Sequence, residues 1–345
     1  MSNQPIEIDG SYLEGGGQIL RTACSLSVVT GRPCRVFNIR KGRPNPGLAP
    51  QHLLGIQALA KLSNADLEGD SLGSEEIVFS PPESVESGPK DIQIKIDTAG
   101  SITLVLQTLI LPALLSPQPL KITFEGGATD TFFSPTIDYF KHCFLKILEK
   151  MGGKIEINVI KRGYYPEGGA KAEVSVFPSK LKNINLTERG NLEKIIIISG
   201  ASEVLKDKKV AERQIAGVRE ILGKLNLPTG ENVEYHKTQS PGSNLCLVGK
   251  FEKTLLGTDN LGKLGKRAED VGKEAALELL KEQKSGACLD KHSSDQILPY
   301  LALAGEKSQV SVSEITNHCR TNIWVIEKFI KGKFKIEGNL ISFED

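Results

Sequence analysis

The sequence predicts an α/β (α+β-like) fold: a large body of three βαβαββ units, with a smaller β-α-β-β-α module inserted into the third. Three observations carry this. Strand-period and helix-period apolar patterns recur twice in the same order. A third occurrence breaks after its first strand and resumes roughly 100 residues later, and the gap holds strands and helices of its own, as a loop does not. Strand–helix alternation alone also suits a doubly wound parallel sheet, but the paired strands that close each unit favour the split β-α-β type.

The first unit opens with a short strand at residues 6–8. A glycine turn leads into an apolar helix over 18–30, which Gly31 ends. Residues 35–40 alternate as a strand. Pro50 suits the first position of a second amphipathic helix, 51–62, and strands at 66–72 and 76–79 close the unit. The second unit repeats the order: strand 92–96, a TAGS turn, helix 102–115, strand 120–124, an EGGATD turn, a long helix over 135–151, and strands 154–160 and 172–177. The third begins at 184–186 and continues with helix 295–304, strand 309–312, helix 321–330, and strands 334–336 and 340–343. The insertion reads as strand 195–198, helix 210–225, strands 233–239 and 244–251, and helix 268–282. The expected division is a body of residues 1–186 and 284–345 around an insert of residues 187–283.

With 39% hydrophobic residues and 25% charged, the chain can bury a substantial core and is not disordered in type. A net charge of +1 excludes a global basic field, so any nucleic-acid contact must come from a local patch. No apolar run approaches the roughly 20 residues that cross a bilayer. The stretch MSNQPIEIDG lacks a basic segment followed by an apolar one, so a cytoplasmic protein without membrane contact is expected. The 6 cysteines include no CxxC pair. Buried thiols are therefore expected rather than a zinc site, with disulfides an option in a hyperthermophile.

DGSYLEGGGQILR places a carboxylate, three consecutive glycines, Gln18 and Arg21 at a helix start. Glycine lets backbone and ligand approach closely, and a helix N-terminus offers unpaired N–H groups, so this is the grammar of an anion site. It is equally the grammar of a structural turn. The stretch matches neither GxxxxGKS/T nor GxGxxG. FNIRKGRPNPGLAPQHL adds Arg40, Lys41 and Arg43, then Gln51 and His52 at the next helix start. Guanidinium forks suit phosphate oxygens.

Of the five histidines, His142 and His236 fall where structural or exposed side chains are expected, and His52 could be polar lining. His292 lies in LDKHSSDQIL, where Ser294 or Asp295 can cap a helix and where the run 292–296 could instead line a nucleotide pocket. His318, in EITNHCRTNIWVIEKF, also lies at a helix start. There the helix field lowers an imidazole's pKa and stabilises phosphate oxygens, which suits attack on phosphorus. No spacing suggests a metal cage.

The stretches IDGSYLEGGGQILRTACSLS, NIRKGRPNPGLAPQHL, LVLQTLILPALL, RGYYPEGG, SPGSNL, DKHSSDQILPYLALA and HCRTNIWVIEKF, in this order, resemble the RNA 3′-terminal phosphate cyclases over essentially the full chain. The resemblance implies a body of three βαβαββ units, similar to the C-terminal domain of a bacterial translation initiation factor, with a smaller inserted module. It also implies an ATP-dependent ligase. A histidine attacks the α-phosphorus of ATP, AMP passes to an RNA 3′-phosphate as RNA(3′)pp(5′)A, and the 2′-hydroxyl closes a 2′,3′-cyclic phosphate. The intramolecular last step gains from proximity.

Carried over by motif, His318 is the nucleophile. Gln107, His292, Ser293, Ser294, Asp295 and Gln296 fall where the family binds ATP. Arg21, Arg40, Arg43, Gln18 and Gln51 match polar positions around the phosphates and the RNA end. Glu14 is the carboxylate for Mg²⁺ or another divalent cation. The implied partner is RNA with a 3′-phosphate; a homodimer is compatible with the sequence. Asn244 and Ala128 depart from the family's pattern without removing a chemical group. The alternative is a non-catalytic cyclase-like RNA-binding protein of ribosome assembly, but such relatives lack the histidine. An enolpyruvyl transferase would need six units.

Overall fold

The computed structural model describes residues 4–82 and 89–344. The first unit comprises β1 (Ile6–Asp9), α1 (Gly17–Thr30), β2 (Cys34–Phe37), α2 (Pro50–Ser63), β3 (Asp66–Glu68) and β4 (Ile77–Ser80). Its sheet runs β1-β2-β4-β3, with β1 and β2 parallel and β4 antiparallel to both its neighbours. The second unit comprises β5 (Asp91–Ser101), α3 (Ile102–Leu115), β6 (Leu120–Ala128), α4 (Ile137–Tyr139), a π-helical turn Phe140–Phe144, α5 (Leu145–Lys150), β7 (Lys154–Lys161) and β8 (Lys171–Phe177). Its order, β5-β6-β8-β7, is the same.

The third unit starts with β9 (Asn185–Leu186). The chain then leaves for β10 (Leu192–Ser202), α6 (Val210–Leu222), β11 (Thr229–His236), β12 (Ser243–Phe251), β13 (Leu255–Leu261) and α7 (Ala268–Lys284). It returns for α8 (Lys291–Gln296), α9 (Leu298–Leu303), β14 (Ser308–Ser311), α10 (Asn317–Phe329), β15 (Lys333–Glu337) and β16 (Leu340–Glu344). The order β9-β14-β16-β15 repeats the pattern once more, while the insertion forms its own sheet, β11-β10-β12-β13.

The helices pack inward. α3 is buried almost all round, between α1 and α2, and α10 packs on the far side of α1. The inserted sheet has two distinct faces, as period-2 alternation dictates. Ile195, Ile197, Leu245 and Leu247 meet α6 and α7 in a small separate core. Ile198, Cys246 and Val248 point the other way and join the main core. At this junction the buried Arg162 bonds Asp130 (3.1 Å) and Asp138 (2.7 Å), and Asp138 accepts from Asn244 of β12 at 2.8 Å.

Several expected boundaries move, each for a physical reason. The insertion holds one more strand than expected, β13, so its order is β-α-β-β-β-α; the residues LLGTDNL carry little β signal and gain the strand from pairing with β12. The TAGS and EGGATD stretches are not turns. β5 and β6 run through them, pairing Ser101 with Ala128 across a bulge, and Gly126 and Gly127 take the left-handed φ values this requires. The long fourth helix is broken by the π turn. The helix cap near His292 is Asp290, not Ser294 or Asp295: its carboxylate accepts from His292 N (3.1 Å) and Ser293 N (2.9 Å). All six cysteines are buried free thiols. No helix among the described residues is long and apolar enough to cross a membrane.

Candidate active site

A cavity of about 170 Å³ opens where α1, α3, α8 and α10 converge, and Gln18, Arg21, Gln107, His292, Asp295, Gln296 and His318 all line it. Gln18 and His318, 300 positions apart, thus share one wall. α1 and α10 bring their N-terminal ends together there. Gly16 caps α1 with no side chain, and neither helix has an acidic residue in its first turn. Both helix ends therefore present positive potential to the cavity.

His318 occupies the first turn of α10, whose cap is Thr316 accepting from Cys319 N at 3.1 Å. Its imidazole is gripped from both sides. Nδ1 bonds Gln18 Oε1, and Nε2 stands 3.0 Å from Glu14 Oε2. The Gln18 amide is itself oriented, because its Nε2 donates to His318 O at 3.0 Å and Asp295 Oδ2 at 3.2 Å. Burial lowers the His318 pKa. The Glu14 carboxylate opposes that shift, while Arg21 and Arg43 reinforce it. Burial likewise lowers the Arg21 guanidinium to about 10, still charged at neutral pH, and raises the Asp295 carboxyl to about 7.

The three glycines have separate reasons. Gly15 is left-handed, with φ +54°. Gly16 lies open to Arg43 and His318. Gly17 has no room for a side chain, because a Cβ there would fall 2.1 Å from His52 Nε2. His52 is accordingly not lining but packing. It is buried, its Nδ1 accepts from Ala49 N at 3.3 Å, and burial plus the Arg21 and Arg40 charges push its pKa down to about 3.

The remaining expected site residues sit at differing depths. Arg43 and Glu14 are not among the residues that line the cavity; Arg43 Nη2 lies 3.9 Å from Glu14 Oε2, beside His318. Arg40 donates to Gly47 O at 2.9 Å, and Gln51 lies against Gly100. Ser293 and Ser294 do not line the cavity: Ser293 Oγ shares a 2.8 Å bond with Tyr139 OH, and Ser294 Oγ donates to Asp290 O at 2.6 Å. Both hydroxyls are spent on holding the start of α8.

A family model for RNA 3′-terminal phosphate cyclase matches residues 12–336. The chain belongs to the RNA 3′-terminal phosphate cyclase family. Curated relatives agree over nearly full length. A protein named RNA 3′-terminal phosphate cyclase from Thermococcus kodakarensis is 46% identical, covering 97% of this chain and 95% of that one. Those so named from Pyrococcus abyssi and Sulfurisphaera tokodaii are 45% and 44% identical, with 96% or more of each chain covered.

Within this cyclase fold the structure adds residues that sequence reasoning missed. Asn322 lies one helical turn beyond His318, receives Thr22 Oγ1 at 2.8 Å and donates to Asp295 O at 2.8 Å, so it ties α1, α8 and α10 together. The TN pair after HCR and its i, i+4 spacing from His318 could have signalled it. Phe133, Pro135 and Phe144 supply an apolar wall. Among the described residues no three His, Cys, Asp or Glu side chains gather as a metal cage. Glu14 alone fits the mode in which Mg²⁺ takes one carboxylate and completes its shell with phosphate and water oxygens.

Proposed function

We propose that this chain converts an RNA 3′-phosphate end to a 2′,3′-cyclic phosphate, consuming ATP through a covalent adenylate on His318. The observation that carries the reading is the held imidazole: one nitrogen tied to Gln18, the other facing outward beside Glu14, in a cavity lined by Arg21, Gln107, His292, Asp295 and Gln296.

The Gln18 carbonyl oxygen accepts from Nδ1–H, which leaves Nε2 as the attacking atom. At rest Nε2 faces the Glu14 carboxylate, so its proton must pass to Glu14 or to solvent before attack. Burial and the two arginine charges favour that loss. The Nε2 lone pair then forms a bond to the α-phosphorus of ATP as the bond to pyrophosphate breaks. Arg21, Arg43 and the two helix ends offset the charge of the meeting anions. An oxygen of the RNA 3′-phosphate next attacks the same phosphorus, the P–N bond breaks and His318 is restored. Finally the neighbouring 2′-hydroxyl attacks the RNA phosphorus, its proton goes to solvent and AMP leaves. A divalent cation held by Glu14 would supply charge neutralisation at the phosphates. Arg40 and Gln51, outside the cavity, are assigned to the RNA end, and residues 187–283 to a separate inserted domain.

The test is incubation with α-labelled ATP and Mg²⁺ without RNA. Acid-labile, alkali-stable label should appear on the wild type, persist in His292→Ala and vanish in His318→Ala. An unlabelled, folded wild type would sink the mechanism and favour the non-catalytic RNA-binding reading.

A further inference from the structure

Beside the cavity, which Phe133 and Pro135 help to line, three loops meet: residues 129–136 after β6, 162–170 between β7 and β8, and 262–267 between β13 and α7. The first is pinned by Thr129 N to Gly163 O (3.0 Å) and by Thr136 N to Asp259 Oδ2 (2.7 Å). The second is pinned by Gly168 N to Tyr164 O (2.8 Å) and by Glu167 N to Ser240 Oγ (3.0 Å). Rigid at their feet, these loops raise an aromatic crest. Phe133 is 102% exposed and holds φ +63°, a backbone state that a bulky residue rarely adopts. Phe132 meets Tyr165 edge-on at 6.2 Å, and Tyr165 is 60% exposed. The Lys263 ammonium lies 5.2 Å from the Phe132 ring centre and forms no ion pair among the described residues. Leu264 beside it is fully exposed.

Strain and exposed aromatic surface gain nothing within the chain itself. They gain where a flat ligand covers them. Continuity with the site says which ligand. Phe133 lines the cavity that holds His318. At the crest's other side, Gly168 lies near Thr98 O, and Gly100 lies near Gln51. The crest therefore runs from the cavity towards Gln51, one of the residues assigned above to the RNA end. The exposed Phe133 and Tyr165 rings, the half-buried Phe132 ring and the Lys263 ammonium beside it are the elements of single-strand recognition, in which bases stack and the backbone meets a cation. By contrast, the exposed Tyr12 is already stacked on the half-buried Trp324, ring centres 4.2 Å apart.

We propose that Phe132 and Tyr165, with Lys263, form a stacking platform for the unpaired bases just upstream of the RNA 3′-phosphate. This deepens the reading above and rests on it for the identity of the substrate. The platform is sequence-tolerant, because every base offers a π-face, and it prefers single-stranded ends to duplex ends.

The test uses a 3′-phosphorylated single-stranded RNA of about ten nucleotides; Tyr165→Ala and Phe132→Ala should each raise its KM about tenfold. Their kcat and their RNA-free labelling by ATP should match the wild type. Tyr165→Trp should restore the KM. Abasic residues at the upstream positions should cost the wild type a similar factor and cost Tyr165→Ala nothing more. Lys263→Gln should flatten the salt dependence of RNA binding by about 0.7 in log–log slope. Wild-type KM in both alanine variants overturns the proposal and leaves the crest to a protein partner. Loss of RNA-free labelling in step with RNA turnover also overturns it, by making the rings part of the ATP site or the fold. If the wild type proves inactive, the same variants read by fluorescence anisotropy with that RNA decide the platform apart from the catalysis: weakened binding supports it, unchanged binding removes it.

Discussion

The first helices of units one and two start from the same place in the same topology and end up with opposite fates. α3 is capped by Ser101, whose Oγ accepts from Leu104 N at 3.2 Å. Thr103, two residues on, folds back to share a 2.8 Å bond with Ser101 and to donate to Pro135 O at 2.8 Å. That helix end is closed, buried and neutral in chemistry. α1 has Gly16 at the position of Ser101 and Gln18 at that of Thr103. Nothing caps it, and Gln18 reaches across to His318. A helix start satisfied by its own side chains builds a core; one left open by glycines exposes backbone donors to something that comes and goes.

The comparison can be broken most severely at Gln18. Gln18→Leu should keep the fold and lower the rate of RNA-free adenylylation roughly 100-fold by freeing the imidazole, whereas Thr103→Val should leave labelling per folded molecule unchanged. Next comes the packing beneath the glycines. Gly17→Ala should cost roughly 1–3 kcal/mol in urea unfolding, since its methyl meets the His52 ring. The same ring predicts a pH effect. His52 is neutral in the fold down to about 3 and takes a proton near 6.5 when unfolded, so the unfolded chain binds more protons in that window and stability falls as pH falls through it. From pH 7 to 5 the wild type should lose about 2 kcal/mol more than His52→Gln. Smaller still, Gly16→Ser imports the cap of unit two, and a roughly tenfold higher KM for ATP should follow if the open donors serve phosphate. Ser101→Ala should cost about 1 kcal/mol with activity per folded molecule intact.

The repeat itself was legible, because alternation and helical spacing survive in each unit and glycine punctuates the joins. What escaped were features decided by neighbours. β13 is a strand because β12 is beside it, and β5 and β6 carry on through TAGS and EGGATD because they pair there. At the site, local grammar marked Arg21 and His318 at helix starts, Gln107 was picked out only through motifs in order, and their meeting is a product of packing α1, α3 and α10. The motif placed Ser293 and Ser294 with the ATP residues, whereas their hydroxyls bond Tyr139 and Asp290, and the sequence reading passed over Asn322, which lines the cavity and ties three helices together. It also left His52 open between lining and core, which the Gly17 contact resolves.

The split third unit has a consequence in time. β9 and β14 pair Asn185 with Gln309, and the flanking bonds span 124 residues, with the whole insertion between. The sheets of units one and two close over much shorter stretches of chain, so their loops close with less entropic penalty. On the ribosome those two sheets can form while the insertion is still being made. The sheet that seats α10 cannot. His318 therefore joins its glycine turn only after the insertion has been made, and a nascent chain that already holds most of its core still lacks the assembled cavity.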